Sequence, residues 1–143
     1  MCHMVYISTS SDEDLAKIGS RYFSIRAVDP DEGPDVDEAL EYPSRWYISG
    51  RWGGCSCHLR YFPDALGFHD GLDWWPEEPN AVEDTAAIYD MLQRLVAEGN
   101  KVDVVDLWND EAYDGFESIT VSLSEVTREK FLFMENRRLN LTP

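Results

Sequence analysis

The chain has 143 residues, 43% hydrophobic and 13% aromatic, enough apolar surface for one globular domain with its own core. Its 12 Lys and Arg stand against 28 Asp and Glu, a net charge of −16, which argues against nucleic acid or an anionic membrane as a partner. Three cysteines, an odd number, exclude a disulfide framework and suit reduced thiols in a cytoplasmic protein.

The first residues, MCHMVYISTSSDED, lack a basic segment followed by an apolar run, so no secretory signal is expected. No apolar stretch approaches the ~20 residues that span a bilayer. Residues 4–9 read as a first strand. Ser10 and Glu13 then have capping-box spacing, and a short helix through Leu15 and Ile18, closed by Gly19, is expected. Residues 21–28 alternate, with Phe23, Ile25 and Ala27 on one face and Ser24 and Arg26 on the other, which marks a half-buried strand. The acidic stretch 29–41, with Pro30, Gly33 and Pro34, reads as an exposed loop with a helical turn over 36–40.

The stretch WYISGRWGGCSCHLRYF, residues 46–62, predicts a central β-hairpin: an aromatic strand, a reversal at Gly50, Gly53 and Gly54, and a second strand. In such a strand, period two places Cys55, Cys57, Leu59 and Tyr61 on one face and Ser56, His58 and Arg60 on the other. A loop over 63–79 follows, punctuated by Pro and Gly and carrying Phe68, His69, Trp74 and Trp75 among carboxylates. Asn80 and Glu83 have the spacing to cap a helix over 81–98, with Ile88, Met91, Leu92 and Leu95 as its buried stripe and Gly99 beyond its end. KVDVVDLW, residues 101–108, reads as a strand whose Val104-Val105 pair breaks the alternation, as burial on both faces or a bulge would. Residues 118–123 alternate again, and a last helix is expected over 127–139. The order of elements predicts one α+β domain over 1–143, a mostly antiparallel sheet with two or three helices packed on it.

Three constellations can carry chemistry. Cys2, Cys55 and Cys57, joined by His3, His58 or His69, are soft donors suited to zinc, although C-x-C is not the C-x₂-C spacing of the common zinc motifs. Cys55, directly after Gly53-Gly54, is a candidate nucleophile for a thiol-dependent enzyme, with a histidine as base and Asp70 as its orienter. Trp74 and Trp75 form a candidate protein-binding or self-association surface, tryptophan being a frequent interface anchor. Phosphate-binding, dinucleotide-binding and metalloprotease motifs are absent from the sequence.

MCHMVYIS and YISGRWGGCSCHLRY together resemble a group of small bacterial proteins with an initial Met-Cys and a central Gly-Cys-x-Cys segment. The resemblance implies that Cys2, Cys55 and Cys57 are the matching positions, and it brings no activity with it. Met1-Cys2 alone is similar to the start of the class II glutamine amidotransferases, whose four-layer fold needs a longer chain. The expected function is therefore that of a small binding or structural domain with a cysteine-based metal site.

Overall fold

A computed structural model describes residues 3–32, 34–62, 67–71, 74, 76–108 and 117–143. Its centre is β1 (His3–Thr9), hydrogen-bonded on one side to β3 (Ser44–Gly50) and on the other to β5 (Val102–Trp108). Three more strands complete the sheet: β2 (Phe23–Ala27), β6 (Glu117–Ser122) and β8 (Arg137–Thr142). They give six strands in the order β2-β3-β1-β5-β8-β6, antiparallel at every step except β6 beside β8. β3 and β5 run parallel to each other with β1 between them. The connection through α2 (Ala81–Ala97) is thus a crossover split by a central strand.

The sheet buries both faces, and side-chain parity decides which residue serves which. Val5, Ile7, Ile48 and Val104 face α2, whose Ile88, Met91, Leu92 and Leu95 complete the larger core. Tyr6, Tyr47 and Val105 point to the other face, where α1 (Pro34–Ala39) contributes Val36 and Ala39. Val104 and Val105 therefore belong to different cores, which accounts for the broken alternation. The end of α2 is also as expected. Gly99 has φ +92, its N–H reaches Val96 O (3.0 Å) and that of Asn100 reaches Leu95 O (3.1 Å), satisfying two terminal carbonyls. At the other end Asn80 does not cap with its side chain; its carbonyl instead accepts the Asp84 N–H at 2.9 Å.

Two expected elements form differently. The central hairpin does not pair: both edges of β3 are occupied, by β1 and β2, so nothing is left for residues 55–62. Instead Ser56–His58 is a single 3-10 turn, and β4 (Tyr61–Phe62) lies parallel to β7 (Phe133–Met134) in a separate ribbon. The last helix is likewise replaced by β7, a turn at Asn136 (φ +58) and β8. Phe131, Leu132, Phe133 and Met134 are all buried, and four consecutive apolar residues cannot share one helix face. The short helix after β1 is a 3-10 turn, Leu15–Lys17, capped by the Asp14 carboxylate and not by Ser10. Among the described residues no helix is long and apolar enough to cross a membrane.

Candidate functional site

The two ladders of β1 do not end together. Toward β5 the pairing continues to His3↔Trp108, but toward β3 it stops at Val5↔Ile48. Ser56 fills the opening: its hydroxyl accepts the Val5 N–H (2.9 Å) and donates to Ile48 O (2.5 Å), replacing ladder bonds between the diverging strands. Leaving either backbone group buried without a partner would cost about 1–3 kcal/mol, so this hydroxyl anchors the 3-10 turn at the end of β1.

The turn sets the two cysteines on either side of the sheet's end. Cys55 lines a cleft of about 380 Å3 with Met4, Ser49 and Gly54 on the α1 face. Cys57 lines a second cleft, about 240 Å3, with Tyr61, Pro76, Glu77 and Glu78. The alternation expected for 55–61 therefore does not exist, because a 3-10 turn rotates side chains by a third of a turn and not by half. Cys2 lies outside the described residues; it precedes His3, the first residue of β1.

Beside the turn, on the α2 face, His3 is fully buried and its Nδ1 lies 2.8 Å from Asp106 Oδ1. The Tyr61 ring lies against the imidazole, centroids 3.7 Å apart and planes inclined by 43°. Burial raises the Tyr61 hydroxyl above its ordinary pKa, and the negative charges of Cys57, Glu135, Asp106 and Cys55 raise it further. Asp106 is also pushed up, by burial, with the hydrogen bond and charge of His3 opposing the shift. The end of β1 thus has an imidazole, a phenol and a carboxyl in contact on the α2 face, with Cys55 and Cys57 lining separate clefts beside them.

The remaining sequence candidates are dispersed. His69 packs edge-on against Phe62, with Nδ1 3.5 Å from a guanidinium nitrogen of buried Arg60. That guanidinium also donates to Glu77 (2.7 Å) and to Glu129 O (2.7 Å), tying the loop after β4 to the core. Asp70 lies 3.8 Å from the Lys130 ammonium, so the carboxylate that orients a histidine here is Asp106. His58 ends the 3-10 turn. Trp74 is 65% exposed while its ring meets the edge of Phe62 at 5.6 Å; Trp75 lies outside the described residues.

Sequence reasoning missed Ser56 as an anchor and the His3–Asp106 pair. The signal for the latter was present: aspartate is disfavoured in strands, and KVDVVDLW holds two. Among the described residues no three His, Cys, Asp or Glu side chains are grouped to hold a metal. No protein-family model matches the chain, and no curated protein or solved structure matches it either.

Proposed function

We infer that this is a small binding or structural domain whose working end is the opened end of β1, where Cys2, Cys55 and Cys57 hold a zinc ion. The observation that carries this reading is the Ser56 anchor. It fastens the segment bearing Cys55 and Cys57 against Val5 of the strand that begins at His3, one residue after Cys2. Val5 and Ser56, 51 residues apart in the sequence, are thereby joined by one side-chain bridge. With three thiolates bound, a histidine or a water completes four-coordination.

The test is elemental analysis of protein purified without chelator or affinity metal, with thiols counted before and after chelation. About one zinc per chain, and three thiols unmasked by the chelator, support the site. Absence of metal, with thiols released only by denaturant, overturns it. A thiol-dependent enzyme with Cys55 as nucleophile is the second reading, favoured by the shared cleft of Cys55 and Arg26. It requires iodoacetamide to alkylate Cys55 in metal-free native protein faster than an ordinary thiol. The exposed indole of Trp74 supports a protein-contacting role for the loop after β4.

A further inference from the structure

The cleft on the α1 face has features that the cysteine site does not use. Its floor is the cross-strand pair Ser24↔Ser49, beside the Tyr47 ring. The Arg26 guanidinium lies over that ring, 4.4 Å from its centroid. Met4 closes one end, and Gly53 and Gly54, at φ +72 and +75, bring the wall around without side chains. About 380 Å3 is enough for a small organic molecule.

Ser49 is 3% exposed and lines the cleft. Ser24, its cross-strand partner, is exposed and borders the same cleft. Arg26 is half-exposed and commits one nitrogen, Nη1, to Glu32 and to Ala27 O. The guanidinium can only donate and the two serine hydroxyls can donate as well as accept, a set that an acceptor with two oxygens complements. Met4 and Tyr47 supply an apolar wall beside them.

We propose that this cleft binds a small organic carboxylate with a short apolar tail. The carboxylate accepts from Ser49, Ser24 and Arg26, and the tail lies along Met4 and Tyr47. The net charge of −16 opposes an approaching anion, but beyond ~8 Å that field is screened at physiological salt, so the local donors govern the bound state. Cys55 borders the same cleft, but the three donors, Ser24, Ser49 and Arg26, are not ligands of the metal site, so variants at those donors test the carboxylate separately from it.

The probe is sodium hexanoate, titrated into the nitrogen-15-labelled full chain, with hexanamide as the uncharged control. Saturable shifts of the Ser24, Ser49 and Gly54 amides, about tenfold weaker with hexanamide, support the site. Ser49→Ala and Arg26→Gln should each weaken hexanoate by about tenfold while the remaining spectrum stays that of the folded protein. Should Ser49→Ala fail to fold, the half-exposed Arg26→Gln carries the comparison. No saturable shift at tens of millimolar, equal response to the amide, or unchanged affinity in the folded variants overturns the proposal.

Discussion

The two ends of β1 are built on opposite plans. At the Thr9 end both ladders run out together, and side chains lock the three strands to the preceding loop. The Ser8 hydroxyl donates to Asp103 and accepts the Tyr42 N–H (3.1 Å), while Asp103 also accepts the Glu41 N–H (3.1 Å) and stands 3.7 Å from Arg138 Nε. Ser10 and Lys101 close the same end by exchanging two bonds, of 3.0 and 2.8 Å. At the His3 end the strands part, and a single hydroxyl bridges them. Redundant bonding makes a closed, structural end. A bridge of one residue leaves room for clefts and for chemistry-bearing side chains on both faces.

β5 displays the same contrast in miniature. Asp103 and Asp106 are both buried, on opposite faces, and burial raises both pKa values. Asp103 is held by a hydroxyl, a backbone N–H and an arginine. Asp106 has His3, and among the described residues no donor reaches its second oxygen.

The largest loss of stability is expected at Asp103. Asp103→Ala strands the Ser8 hydroxyl and the Glu41 N–H together, and should cost about 3 kcal/mol in urea unfolding. A loss below about 1 kcal/mol would mean that the closed end is not held by this carboxylate. Ser56→Ala comes next, at about 2 kcal/mol, because Val5 N–H and Ile48 O lose one shared partner. Hydrogen exchange should show the Val5 amide opening in that variant while Thr9 remains protected. If both amides opened together, the two ends would not be independent.

A smaller effect sharpens the comparison through pH. The folded pKa of Asp106 lies above the ordinary 3.8, so the native state holds this proton more tightly than the unfolded chain does. Its stabilising contribution is complete below 3.8 and is lost as pH rises through the raised value. Asp106→Asn carries no titrating group, so relative to wild type it should gain stability as pH rises above the ordinary carboxyl range. Parallel stability-versus-pH curves for the two proteins would show that burial does not govern this carboxyl.

Periodicity and local chemistry determined much of this molecule by themselves. The α+β class, the strands at β1, β2, β5 and β6, the stripe of α2 and its Gly99 terminus were legible, because each depends on neighbours within a few residues. Val104-Val105 left burial on both faces and a bulge open, and the two cores decide for the first. The second half of the aromatic-cysteine stretch was not legible. Glycines signalled a reversal correctly, but whether β3 then pairs with 55–62 depends on β1 and β2 claiming its edges, and no local pattern encodes that. Residues 131–134 read as helical because buried apolar runs fit either element, and only the bonds from Phe133 and Glu135 N–H to Arg60 O and Phe62 O make them a strand. The site was divided along the same line. Its residue types stood in the sequence, whereas the joining of His3 to Asp106, and of Ser56 to Val5, required contacts across 103 and 51 residues that chain entropy opposes until the sheet forms.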